Sequence, residues 1–133
     1  MKCHGGIRDF RGQAGDPVSR DLPAGDRRIG NGGPGYHIKC ETKGIPNKHD
    51  VGALSMAHAG KDTGGSQFFM VLDENNTRHL NGVHTVFGKI TKGIDVLKQI
   101  TQNDTMTTVR DAWPRSTRTA HSVTIWSHHS REI

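Results

Sequence analysis

Apolar residues in this chain come in short runs, cut roughly every 8–15 residues by Gly, Pro, Asn or Asp. Gly52-Ala53-Leu54-Ser55-Met56-Ala57, Ser66-Gln67-Phe68-Phe69-Met70-Val71-Leu72 and His84-Thr85-Val86-Phe87-Gly88-Lys89-Ile90 read as strands. Short strands between evenly spaced turn signals predict an all-β sandwich or barrel. One helix is predicted over residues 93–102, where Ile94, Val96, Leu97 and Ile100 fall on roughly one face. Its Asp95 sits in the first turn, where an acid complements the helix dipole. The pattern is a short helix against a mainly β body.

Composition narrows this further. At 133 residues the chain holds one domain, since domains commonly run to ~100–150 residues. Only 32% of residues are hydrophobic, and four Phe, two Trp and one Tyr leave the core to Val, Ile, Leu and Met. No run reaches the ~18 apolar residues of a membrane span, and the start Met-Lys-Cys-His-Gly-Gly has no signal-peptide core. Cys3 and Cys40 lie far apart without a CxxC pattern, which fits free thiols and a cytoplasmic location. The net charge of +5 is scattered, with no aromatic platform between the basic residues, so neither nucleic acid nor membrane is an expected partner.

Three motifs are set aside. Gly30-Asn31-Gly32-Gly33-Pro34-Gly35 satisfies G-x-G-x-x-G, but Pro34 and Tyr36-His37-Ile38 make a turn into a strand rather than the helix a dinucleotide needs. The nine histidines show no metal-ligand spacing, so no metal or cofactor is expected. Asn75-Asn76-Thr77 and Asn103-Asp104-Thr105 are glycosylation sequons by pattern alone. From Val18 to Asn31 the chain turns polar and reads as an extended surface loop.

The informative chemistry lies in residues 64–88. Gln67 offers an uncharged hydrogen-bonding side chain beside Phe68 and Phe69, and a second apolar segment carries His79, Leu80 and His84. That set suits a shallow apolar groove with an amide, built to hold a peptide rather than to ionise a substrate. Residues 52–69 (GALSMAHAGKDTGGSQFF) resemble the central signature of the cyclophilins, the peptidyl-prolyl cis-trans isomerases. His4, Ile7, Asp9, Phe10, Gln13, Gly15 and Asp16 resemble that family's FHRVI-x-DF-x-x-QGGD segment, and residues 32–36 its GGPGY turn. The resemblance covers residues 3 to about 100–109, which makes residues 1–109 a partial cyclophilin-like domain and 110–133 an extension. It implies a β-barrel closed by eight strands with a helix over each mouth. The family's first two strands and first helix precede the segment that starts here at Cys3. An incomplete barrel, a gap filled by another chain, and a poorly stable remnant are the three consequences to weigh.

The resemblance also implies a function. Family members turn X-Pro amides in peptides and unfolded proteins without a cofactor, and some bind cyclosporin-type ligands. It places Phe10, Phe69, Leu80 and His84 at the proline pocket, although core packing alone also explains the apolar ones. Gln13 and Gln67 would bond the peptide, and the backbone of Ala57, His58 and Ala59 would pair with it. His79 stands where some relatives carry a cyclosporin-binding tryptophan, and His58 where the family usually has asparagine, a difference of little weight if the backbone does the work. The family's catalytic arginine follows the Phe-His pair, and here Gly5 follows His4. Strand alternation puts Arg8 on the opposite face from position 5, and Arg11 is the alternative stand-in. Three readings follow: a prolyl isomerase, a proline-peptide-binding module without turnover, and a chain that does not fold stably alone.

Overall fold

The computed structural model describes residues 2–7, 11–43, 48–106, 108–112 and 122–126; for residues 5–7, 11, 108–112 and 122–126 it describes backbone only. The strands are β1 (Gly5–Ile7), β2 (Arg11–Ala14), β3 (Ala53–Met56), β4 (Phe68–Val71), β5 (Val86–Ile90), β6 (Thr108–Ala112) and β7 (Ser122–Trp126). They form one sheet in the order β1-β2-β4-β3-β5-β7-β6. Neighbours run antiparallel except β5 and β7, which are parallel. The predicted mainly β class with one short helix is what forms.

The sheet stays open, because no ladder joins β1 to β6 among the described residues. An isolated bridge, Lys2 to Thr105, ties the segments leading into those two strands. Beside it the Cys3 N–H donates to Asp104 O at 2.9 Å, and the Asn103 N–H donates to Cys3 O at 2.7 Å. The helix α1 (Ile94–Leu97) is shorter than the expected 93–102. After Leu97 the chain tightens to i→i−3 bonds, Gln99 N–H to Val96 O and Ile100 N–H to Leu97 O. Residues 123–126 pair as a strand, β7, against both β5 and β6.

Alternation along β3 and β4 explains how one sheet buries both faces. Odd-numbered Ala53, Phe69 and Val71 point to one side and pack with Leu80. Even-numbered Leu54 and Met70 point to the other, where Ile90 and Leu97 of the helix cover them. The helix thus seals one face, and the turn carrying Leu80 helps seal the other, beneath the site described below.

Two polar groups are buried with full partnership. Asp16 caps the 3₁₀ turn Pro17–Arg20 by accepting from the Val18 N–H at 3.0 Å, and its other oxygen accepts from the Gly30 N–H. Both ends of the predicted surface loop therefore close on one carboxylate, while residues 23–25, 27 and 28 are exposed. His49, only 2% exposed, accepts or donates at both ring nitrogens: Nδ1 to Asn81 Oδ1 and Nε2 to Ser55 Oγ, each at 2.8 Å. Its ring stacks on Phe69 with centroids 5.8 Å apart. Because the Asn81 oxygen also accepts from the His49 backbone N–H, Nδ1 carries the ring proton, and the Ser55 hydroxyl shares its one proton between His49 Nε2 and the Thr85 carbonyl oxygen.

Gly15 has φ +90°, and a Cβ there would lie 2.2 Å from the Ser66 carbonyl oxygen, a backbone atom that cannot step aside. Gly25 has a similar φ of +86° but open space around it. Gly15→Ala is expected to cost at least ~3 kcal/mol and Gly25→Ala about 1 kcal/mol in denaturant unfolding, since only the first adds a clash to the left-handed backbone.

Burial pushes His49 below the ordinary histidine range, with the Asn81 hydrogen bond pulling the other way. A base with a lowered folded-state pKa contributes stability above its unfolded value of ~6.5, and that stability is lost as pH falls below ~6.5 towards the folded value. Unfolding at pH 7.5 and 5.0 is expected to show a lower free energy at pH 5.0. His49→Gln is expected to shrink that difference, and an undiminished difference would remove His49 as its source.

Candidate peptide-binding groove

The groove forms where three pieces of backbone converge: the end of β2, the glycine-rich segment 30–35, and the stretch from β3 into Ala57–Ala59. Together they enclose a cavity of about 710 Å³. None of its described lining residues is Asp, Glu, Lys or Arg, so the surface offers amides, imidazoles and backbone rather than ionised groups. Gln13, Ala57, His58, Ala59, Gln67 and His84 all line it. Phe69 and Leu80, at 0% and 7% exposure, are outside the cavity lining; they share an apolar core cluster on which the lining residue Ala57 packs, and Phe69 meets the lining residue His84 edge to face. His79 shares the 3₁₀ turn Arg78–Leu80 with Leu80 but is exposed and outside the cavity lining. Phe10 falls outside the described residues.

Gln67 does something different from the free peptide contact expected of it. Its Nε2 donates to Gly30 O at 3.1 Å and to Gly32 O at 2.7 Å. That fixes the amide orientation and turns Oε1 towards Gln13 Nε2 at 3.0 Å and His4 Nε2 at 3.1 Å. Two donors and two lone pairs are all a glutamine amide has, so Gln67 is saturated inside the protein. His4 must carry its proton on Nε2 to serve this acceptor, which leaves Nδ1 as a buried nitrogen with no partner. Gln13 spends one N–H on Gln67 and retains a second N–H and its carbonyl oxygen for another group.

The Ala57–Ala59 segment is similarly selective. The Ala57 N–H donates to Gln67 O at 3.0 Å and the Ala59 N–H to Thr63 Oγ1 at 3.1 Å. The His58 N–H has no partner among the described residues. On the far wall His84 donates from Nδ1 to Met56 O at 2.9 Å and meets Phe69 edge to face at 5.7 Å. In the β1–β2 register Gly5 stands directly opposite Gln13. A side chain at that position would be a cross-strand neighbour of Gln13, with Cβ atoms ~5 Å apart.

Cys3 offers no ready nucleophile. Cys3 is buried, and burial together with the Asp104 charge pushes its thiol up to about 11. Cys40 accepts at Sγ from the Asp62 N–H at 3.2 Å. Among the described residues, no helix is long and apolar enough to cross a membrane, and no group of three His, Cys, Asp or Glu could hold a metal ion.

Sequence reasoning missed His4, His49 and Asn81. His4 was read only as part of a segment match, and Lys48-His49-Asp50 looks like a polar turn. Nothing in local pattern marks that histidine as buried, because its burial comes from Phe69, Asn81 and Ser55, all distant in sequence.

A family model described as cyclophilin type peptidyl-prolyl cis-trans isomerase/CLD matches residues 1–127. Peptidyl-prolyl cis-trans isomerase B of Bacillus subtilis (strain 168) is 63% identical over 81 residues, covering 61% of this chain and 55% of that protein. A peptidyl-prolyl cis-trans isomerase of Helicobacter pylori (strain ATCC 700392 / 26695) is 48% identical over 111 residues, 82% of this chain and 61% of that protein. One from Synechococcus elongatus is 39% identical over 112 residues, 83% of this chain and 68% of that protein. The chain thus spans little more than half the length of the first two relatives. With the family model covering nearly all of it, the chain belongs to the cyclophilin-type peptidyl-prolyl cis-trans isomerase family.

Proposed function

We propose that the groove binds proline-containing peptides of unfolded proteins and turns their X-Pro bonds, with weak turnover. The observation that carries this reading is the convergence of Gln13, Ala57–Ala59 and His84 around one cavity whose described lining residues carry no Asp, Glu, Lys or Arg, with Ala57 packed on the buried Phe69–Leu80 cluster. The relatives' names supply the reaction, and the free thiols Cys3 and Cys40 favour a reducing compartment such as the cytoplasm.

Rotation about an X-Pro bond must break C–N resonance, a barrier of ~18–20 kcal/mol. No bond is made or broken, so acceleration comes only from holding the twisted amide better than either planar isomer. The cavity wall at Ala57 and His84, backed by the Phe69–Leu80 cluster, would seat the proline ring. The His58 N–H and the remaining Gln13 groups would hold the flanking carbonyl and amide while the bond turns. What position 5 lacks is a cation opposite Gln13, since Gly5 has no side chain, and the Arg11 side chain lies outside the described residues. A transition-state donor typically contributes ~2–4 kcal/mol, so its absence lowers turnover while leaving ground-state binding largely in place. That contrast favours a second reading, a proline-binding module without measurable turnover. A cyclosporin-type ligand would use the same wall, with His79 replacing an aromatic edge.

Gln13→Ala is expected to weaken binding of a proline tetrapeptide about tenfold and to cost ~1 kcal/mol of stability, because it removes a group facing the cavity and one of the two hydrogen bonds that Gln67 Oε1 accepts. Gln67→Ala is expected to lower stability by ~2 kcal/mol or more and to weaken binding indirectly, because four internal partners lose their contact. Equal affinity for wild type and Gln13→Ala in a titration would sink the groove assignment.

Gly5→Arg is expected to raise isomerisation of an X-Pro peptide at least tenfold in a protease-coupled assay, with affinity changed much less. Wild-type turnover equal to that of a family member carrying the arginine would refute the weak-turnover reading. No gain in a well-folded Gly5→Arg would refute the assignment of the defect to position 5.

A further inference from the structure

His58 enters the peptide-binding reading only through its backbone, yet its ring is held at the cavity wall by two contacts. It stacks on His84 with centroids 3.8 Å apart and planes within 13°. Its Nε2 stands 3.1 Å from the Val83 carbonyl oxygen, so the proton sits on Nε2. Nδ1 is consequently a bare acceptor, and it is buried without a partner. Burying a nitrogen unpaired is unfavourable, so the arrangement persists because the ring is held by the stack and the Val83 bond together.

These two contacts join parts of the chain that are distant in sequence. The ring belongs to the 57–59 segment, while Val83 and His84 belong to the turn after Leu80. His84 in turn meets Phe69 edge to face, so a row of rings runs from His58 through His84 to the buried floor. An asparagine in place of His58 has no π face to stack and could reproduce neither the spacing nor the row.

We propose that the His58 imidazole is a positioning residue of the groove, fixing the His84 ring and the 57–59 backbone at the separation that a proline peptide needs. This rests on the reading that the groove binds such peptides. His58 acts through His84 and its own backbone, not through a ring contact with the peptide.

The test is a titration of isotope-labelled protein with a proline tetrapeptide, followed by NMR, for wild type, His58→Asn and His58→Phe. In wild type, shifts are expected at Gln13 and His84. In the peptide-free His58→Asn variant, the His84 ring protons should move downfield as the stacked ring is lost, with the melt unchanged and affinity reduced about five- to tenfold. His58→Phe keeps a stacking face and is expected to restore affinity to within about twofold of wild type. Wild-type affinity in His58→Asn, or unmoved His84 protons, overturns the proposal while the groove reading stands. If His58→Asn melts early, His58→Phe decides, and a loss of affinity there overturns the stack as the operative contact. Wild type that shows no shift at any groove residue overturns the groove reading itself.

Discussion

The side-chain amide of Gln67 joins the segment before β1, the end of β2 and the glycine-rich run at residues 30–32 to the entry of β4. Each partner fixes another. The two glycine carbonyls set which way the amide faces, the orientation sets which atom meets Gln13 and His4, and that choice sets His4's tautomer. A buried amide network of this kind stabilises only when complete, because a half-satisfied one leaves unpaired groups in low dielectric. The extended loop 17–31 therefore has a defined end at the groove. Its return at Gly30 is held twice, by Gln67 at the carbonyl and by Asp16 at the N–H.

Beneath this network the floor is held by rings. Phe69 lies between His49, stacked on it from the core side, and His84, edge-on from the groove side. His49 also grips Asn81 and Ser55, and Thr77 Oγ1 donates to its backbone carbonyl at 3.0 Å. One buried imidazole thus ties β3, β4 and the turn bearing Leu80 into a single wall. Removing it would cost Asn81 Oδ1 and Ser55 Oγ one hydrogen bond each in the interior, leaving them the His49 backbone N–H and the Thr85 carbonyl.

Much of this was readable before any coordinates. Strands at 53–56, 68–71 and 86–90 follow from short apolar runs between turn signals, and segment order carries the family. The residues around the cavity were also legible, since motif position names Gln13, Gln67 and His84 without knowing the fold. Their division of labour was not. Gln67 and Gln13 are the same residue type, and only the carbonyls of Gly30 and Gly32 reveal which amide is consumed internally. The length of α1 was overestimated because helical periodicity continues to Ile100 while the hydrogen bonding tightens after Leu97. The pairing of β7 with β5 was beyond reach as well, since a parallel ladder depends on a partner about thirty residues away in sequence.

The separation of roles bears on what Gly5 removes. On the proposed reading, the groups that would seat a peptide lie at the end of β2, in the 57–59 segment and in the turn before β5, none of which includes position 5. The donor that the family resemblance implies would stand on β1, across the ladder from Gln13. Ground-state affinity and transition-state stabilisation would then belong to different strands of one sheet. A change confined to β1 subtracts from the second while leaving the floor and its ring supports in place. Because the amide is least polar when twisted, an uncharged, partly desolvated groove still favours rotation somewhat over water. On the proposed reading, a site without that cation would prefer the twisted form by little compared with its preference for proline, which is the physical meaning of a binder that turns over slowly.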